Sequence, residues 1–398
     1  MTGFVRVLLF TGKGGVGKTT AAAATAISCA DSGLRTLVMS TDPAHSLADS
    51  FDVCLSTEPT DVARGLWAQQ LDAQERMEES WAEVRDYLVD VFNWAGADGL
   101  EAEELSVIPG LDELFSLTDI KTHARSGEWD VLVVDCAPTA ETIRLLSMPD
   151  VLSWYMERVF PLGRRVNRLV GPVLSRVSSL PVAGDNVFGA TRRFYDQLDG
   201  VKDILGDPAT TSVRLVVNPE RMVIAEARRT YTYLSLFGYR VDAVIANRLL
   251  PTAVNDPWFK KWKDLQAEHM ASITEGFDPL PVLRAELAET EIVGADRLRA
   301  FAGEVYGPRN PAEPMHTSSP MIIERVDTGY RLRLELPFTD RGDLDVGRVA
   351  GELLIRVGPY RRSVMLPDSL SRREVRSASL KNGVLTVTFG GSPRRRGA

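Results

Sequence analysis

Cysteine is scarce in this sequence. Three occur in 398 residues, at positions 29, 54 and 136, and no two lie within four positions of each other. An odd number without paired spacing excludes a disulfide framework and a self-contained zinc site. Long apolar runs are missing as well, and none approaches the ~18 residues that a membrane helix needs. The opening stretch, Met1 to Phe10, carries Arg6 inside a short apolar run and leads straight into a glycine loop. That pattern is neither a signal nor a transit peptide. A basic surplus is lacking too, with 46 Lys and Arg against 54 Asp and Glu. The acidic balance argues against general nucleic-acid binding. With 44% hydrophobic residues, the bulk of the chain has enough apolar surface to fold. The expectation is a reduced, cytoplasmic protein of two or three domains, with no stable membrane insertion.

What is present divides the chain. Four prolines, at 308, 311, 314 and 320, crowd the stretch after Tyr306 and block both helix and central strand. The reading is therefore a domain over 1–306, a Pro-rich linker over 307–320, a second domain over 321–391 and a basic tail over 392–398. Charge changes sign across the linker, from −14 before Met315 to +6 from it onward. Before the linker, short β-branched or apolar runs alternate with helical spacing: Val5–Phe10, Thr36–Ser40, Val131–Asp135, Val213–Val217 and Val241–Ala246. This predicts an α/β fold, a parallel sheet with helices on both faces. Two insertions, about 60–125 and 150–210, read as helical; Trp81, Val84, Leu88 and Phe92 fall on one face of the first. After the linker the signal is all β. Ile322–Val326 and Tyr330–Leu336 flank Asp327-Thr328-Gly329, and Leu353–Val357, Arg361–Leu366 and Val384–Phe389 continue the pattern. Arg331, Arg333 and Glu335 alternate with Leu332, Leu334 and Leu336, as in a strand buried on one face. A small C-terminal β-sandwich follows from this.

The strongest motif is Gly12-Lys13-Gly14-Gly15-Val16-Gly17-Lys18-Thr19, a G-x-x-x-x-G-K-[ST] loop between a strand and a helix. Its glycines let backbone N–H groups turn inward around phosphate oxygens, and the helix N-terminus adds positive potential. Lys18 is placed to neutralise β- and γ-phosphates, Thr19 to offer its hydroxyl to Mg²⁺, and Thr20 to support the α-phosphate. The nucleotide is read as ATP. Lys13 is an additional lysine, in the wrong place to serve the phosphates of its own loop. Asp42 stands in a loop after the second predicted strand, where a carboxylate can orient water; an Asx turn before Pro43 is the plain alternative. Val131–Asp135 is an apolar strand ending in an acid, the pattern of a carboxylate that holds Mg²⁺. The loop after it, from Cys136 to Thr139, is placed to sense the γ-phosphate.

Taken in order, the stretches Gly12–Thr20, Ser40–Phe51, Ile108–Leu114, Asp135–Leu146, Val217–Glu220, Ile245–Leu249 and Glu291–Phe301 resemble one family. It is the arsenite-pump-type (ArsA) ATPase family, which includes the targeting ATPase for tail-anchored membrane proteins. The resemblance implies a P-loop ATPase that works as a homodimer, with Lys13 reaching the partner's nucleotide. It implies that Asp42, in switch I, positions the attacking water, and that Asp135, in switch II, supports the metal. Asn247 matches the adenine-reading asparagine, and Pro281 and Val282 are aligned near the segment that flanks the base. Two features depart from the family. Ala140-Glu141 stands where Gly-His is common, and the zinc-binding C-x-x-C pair of the eukaryotic members is missing. The pumps carry two ATPase halves in one chain; this chain carries one.

The C-terminal region resembles the α-crystallin domain of small heat-shock proteins through Ala378–Val387 and Arg361–Pro367, without an I-x-I motif after it. Residues 151–180 are dense in large apolar side chains interleaved with arginines, including Trp154, Met156, Phe160 and Arg164. They read either as an amphipathic helix packed on the core or as a nucleotide-gated groove for an apolar client helix. The functional expectation is a dimeric Mg²⁺-dependent ATPase that captures and releases a client protein. The alternatives are the energising subunit of an anion efflux pump, with a membrane partner, and a MinD- or ParA-like spatial organiser.

Overall fold

A computed structural model describes residues 5–42, 46–70, 111–137, 200–326, 329–349, 352–367 and 373–390, with ten single residues elsewhere. The apolar stripe Trp81 to Phe92, residues 151–180, Ala140-Glu141, the Asp327-Thr328 turn and the basic tail lie outside the described residues.

The first region is built on an eight-stranded sheet in the order β3-β4-β2-β5-β1-β6-β7-β8. Its strands are β1 (Arg6–Thr11), β2 (Thr36–Ser40), β3 (Thr60–Ala63), β4 (Leu66–Gln70), β5 (Val131–Asp135), β6 (Thr211–Val217), β7 (Val241–Leu249) and β8 (Val282–Glu286). All neighbours pair in parallel except β3 with β4 at one edge. The run-like hydrophobicity of β1, β2, β5 and β6 has a simple cause: every residue of these strands is buried, with helices on both faces. The described helices are α1 (Lys18–Asp31), α2 (Ser46–Phe51), α3 (Leu111–Ser126), α4 (Val201–Gly206), α5 (Arg221–Phe237), α6 (Lys260–Gly276) and α7 (Ala295–Tyr306). Alanine fills α1, giving it high helix propensity and a thin profile that lets α7 pack on it.

Two differences from the sequence reading stand out. The start of the first insertion is not helical, because 60–70 holds the strand pair β3 and β4. Its residues Thr60-Asp61-Val62-Ala63 and Leu66-Trp67-Ala68 alternate around the Gly65 turn, a short signal masked by the longer helical pattern downstream. Strand β8 was not anticipated either. In Val282-Leu283-Arg284-Ala285-Glu286 only Leu283 and Ala285 are fully buried, as expected at a sheet edge.

From Met321 the chain forms a β-sandwich. One sheet runs β14-β15-β10-β9 and the other β11-β12-β13. The strands are β9 (Met321–Val326), β10 (Gly329–Glu335), β11 (Leu344–Val349), β12 (Glu352–Val357), β13 (Tyr360–Met365), β14 (Glu374–Lys381) and β15 (Val384–Gly390). Leu332 faces Val387 and Leu334 faces Leu385, and all four are buried. The β-sandwich docks on α5. Leu236 of that helix is part of the sandwich core, and Tyr360 packs on Tyr233 at 4.3 Å between ring centroids. The contact combines these rings and aliphatic carbons with hydrogen bonds, Thr232 to the Pro337 carbonyl and Arg362 to the Leu236 carbonyl.

Residues 307–320 run from α7 to β9 along the amino-terminal edge of the sheet. Their backbone is held by a buried charge cluster. Arg214 donates to the Pro311 carbonyl at 2.6 Å and Arg6 to the Ala312 carbonyl at 2.9 Å. Asp242, fully buried, pairs with both arginines and accepts from the Met315 N–H at 3.3 Å. Burial lowers the Arg6 pKa to about 10, against the pull of Asp242.

Candidate functional site

Strand β1 lies between β5 and β6, and the chain leaves it toward opposite sides of the sheet. Ligands of open parallel sheets bind at such a switch point, outside the carboxyl ends of the strands. The loop Gly12–Gly17 stands there. Two of its glycines are dictated by space. A Cβ at Gly12 would run into the Val216 carbonyl oxygen, and one at Gly17 into the amide of Asn247. Gly17 also has φ 94°, a left-handed geometry that caps α1 and that side chains resist. Gly14 and Gly15 are exposed, and Val16 anchors the loop in the core. Lys18 is buried and reaches back to the Lys13 carbonyl at 3.5 Å. Lys13 itself is half-buried on the outer rim.

The acids converge on this loop. Asp135 ends β5 beside β1, fully buried, and neither carboxylate oxygen has a hydrogen-bond partner. Burial raises its pKa to about 7, while Thr19 and Lys18 pull it down and Asp42 pushes it up. A buried carboxylate with two open oxygens, faced by Thr19 and next to a phosphate loop, suits Mg²⁺. That ion keeps waters and takes few protein ligands. Asp42 is half-buried at the end of β2, and its N–H bonds to Ser40 Oγ at 3.2 Å. Thr41 ties the two acidic strand ends together: its N–H donates to the Asp135 carbonyl at 3.0 Å, and its Oγ1 accepts from the Ala137 N–H at 3.2 Å.

A cavity of about 500 Å³ opens beside the loop, lined by Gly17, Thr20, Asn247, Arg248 and residues 286–293. Asn247 donates through Nδ2 to the Val16 carbonyl at 2.8 Å, and its Oδ1 accepts from the Arg248 N–H at 2.9 Å. One amide hydrogen and one lone pair remain for a ligand's polar edge. Pro281 and Val282 are not at this cavity. Val282 pairs with Val244 at the start of β8, and the Pro281 carbonyl bonds the Val244 N–H, so both lie at the opposite end of the strand. Glu286 and Leu287, at the other end of β8, stand in the cavity wall. Arg248 was also missed. It sits in a bulge of β7 with φ 58°, rare for a side-chain-bearing residue, and its position beside Asn247 was the available signal.

The comparisons agree with the geometry. The profile of the anion-transporting ATPase family, ArsA, matches residues 5–307, and that of an HSP20-like domain found in ArsA proteins matches residues 327–389. A protein of Prosthecochloris vibrioformis named as an arsenical pump-driving ATPase is 40% identical over 388 residues, covering 97% of this chain and 96% of its own. One of Aquifex aeolicus, similarly named, is 37% identical over 393 residues, covering 96% and 99%. A protein of Mycobacterium tuberculosis is 34% identical, covering 98% and 96%. The chain belongs to the ArsA family of ATPases and carries the HSP20-like domain of that family after its ATPase fold.

Proposed function

We propose that two copies of this chain close over MgATP through their nucleotide faces, and that hydrolysis reopens them to release a client protein. One observation carries the reading. Among the described residues before position 307, exposed large apolar side chains line two cavities that share Arg248: Trp258, Trp262 and Leu265 in one, Leu287 and Val293 in the other, with Met222 just past the end of β6. Met222 is 72% exposed and Trp258 69%. Exposed apolar side chains beside the phosphate-loop cavity suit a surface covered by a partner.

In this reading the phosphate loop binds the triphosphate, and Asn247 with the 286–293 segment binds the base. Thr19 and Asp135 hold Mg²⁺, which neutralises charge on the β- and γ-phosphates. Lys13 extends to the partner's phosphates. Asp42 orients the attacking water, and loss of the γ-phosphate removes the charge that held both lysines. The HSP20-like domain favours an apolar protein segment as the client.

The pump reading has the relatives' names in its favour. Against it stand the thiols. As(III) takes thiolates, yet burial raises both Cys29 and Cys136 to pKa values of about 12, and only Cys54 is exposed.

The test uses Asp42→Asn, with turnover expected to fall ~100-fold or more while ATP still binds. Sedimentation should show a dimer with MgATP and a monomer with ADP, and Lys13→Ala should abolish the dimer. A labelled apolar helical peptide of ~20 residues should bind the ATP-held dimer only. Normal turnover by Asp42→Asn refutes its role. Stimulation of the wild-type ATPase by arsenite, without peptide binding, would select the pump instead.

A further inference from the structure

The turn after Asp135 is tied to its own sheet by Cys136, whose N–H bonds the Phe10 carbonyl at 3.0 Å, and by Ala137 through Thr41. Thr142 closes it, donating to the Ala137 carbonyl at 2.6 Å. Among the described residues, a side-chain bond from Thr139 leaves the sheet. Thr139 Oγ1 donates to Glu226 Oε1 at 2.8 Å. Glu226 lies in the second turn of α5, a 17-residue helix about 25 Å long.

The other turns of α5 grip the β-sandwich. The Arg228 guanidinium lies 5.2 Å from the centroid of the Phe338 ring, and Tyr231 packs against the same ring edge-on at 6.4 Å. Thr232 Oγ1 donates to the Pro337 carbonyl. Arg362 of β13 donates to the Leu236 carbonyl at 2.5 Å. Phe338 has φ 60°, a left-handed backbone that a bulky residue keeps only when its surroundings hold it. Here the holding groups are Arg228 and Tyr231 of α5 and Phe277, whose ring is 5.6 Å away. A single helix thus holds Thr139, four residues past Asp135, near one end and the second domain along its later turns.

We propose that Glu226 is a positioning residue for ATP hydrolysis, and that docking of the HSP20-like domain on α5 sets the turnover rate through it. Glu226 does not touch the reacting atoms. It fixes Thr139, and so the turn that follows the metal carboxylate, against a helix whose own placement depends on Phe338. The inference rests on the family's ATPase activity and not on the client reading.

Steady-state ATP turnover of the full chain tests it. Glu226→Ala should lower kcat about tenfold and leave KM within about twofold, and Glu226→Gln, which keeps an acceptor oxygen, should recover most of the loss. Phe338→Ala, remote from the nucleotide, should lower kcat about threefold. The double variant should be no slower than Glu226→Ala alone, because both changes act on one path. If Phe338→Ala does not fold, Thr232→Val removes the bond to Pro337 without a cavity and is judged by the same criteria. A KM effect with normal kcat, a remote variant with wild-type turnover, or losses that multiply in the double variant would each overturn the proposal.

Discussion

Asp135 shows how much one residue decides. It is a fully buried acid whose pKa rises from 3.8 to about 7. Below pH ~4 it is neutral in both folded and unfolded chains and costs nothing. Between pH ~4 and 7 the unfolded chain ionises it while the folded chain keeps the proton, so stability falls as pH rises through that window. Asp135→Asn removes the charge but keeps the shape. At pH 8, without nucleotide, this variant should melt roughly 3 °C or more above wild type, and the gap should close toward pH 4. Adding MgATP should raise the wild-type midpoint and leave the variant nearly unmoved; calorimetry at the two pH values checks both. The acid was legible because it ends an apolar strand downstream of a phosphate loop. Glu226 was not, since nothing local marks a glutamate on an amphipathic helix as the partner of a threonine 87 positions away.

At the scale of elements, the parallel strands were legible because burial on both faces leaves uninterrupted apolar runs. The edge strands β3 and β8 were not, as they are short and half-buried. The 307–320 segment illustrates a different limit. Its prolines announce a break in regular structure, yet they say nothing of the arginines that hold it. Arg214 stands in a strand of otherwise buried neighbours, Val213 and Leu215, and is itself fully buried. Its role depends on Asp242 and on the carbonyls of Pro311 and Glu313, all remote in sequence. Arg214→Met should leave Asp242 without one of its two buried arginine partners and destabilise the fold by ~3–5 kcal/mol. It should also free the segment, so that trypsin cuts after Arg309 faster than in the wild type; denaturant titration and timed digestion measure the two effects.

For the whole molecule, the order of motifs identified the family, and the alternation of Arg331 to Leu336 identified the β-sandwich. Their mutual placement was beyond the sequence, because the residues that join them, Tyr233, Thr232 and Leu236 on one side and Tyr360, Pro337 and Arg362 on the other, lie more than a hundred positions apart. The placement makes a test of domain independence. A chain stopped after Tyr306 lacks the Pro311, Ala312 and Glu313 carbonyls that bond Arg6 and Arg214, and keeps only the Thr210 carbonyl for Arg6, whereas one stopped after His316 keeps Pro311 to Met315. The longer piece should be measurably more stable to urea, although neither contains any of the β-sandwich. The same cluster has a consequence for synthesis. Arg6 precedes its acceptor at Ala312 by 306 residues, so their bond forms only after the whole sheet region has been made. Strand β1 likewise waits for β5 and β6, whose pairing partners begin at Val131 and Thr211. The nascent chain therefore carries this buried strand unpaired while more than a hundred residues are added. The central sheet is complete only once β8 has followed β7, and until then the long-range pairing of β1 leaves the growing chain dependent on protection from aggregation.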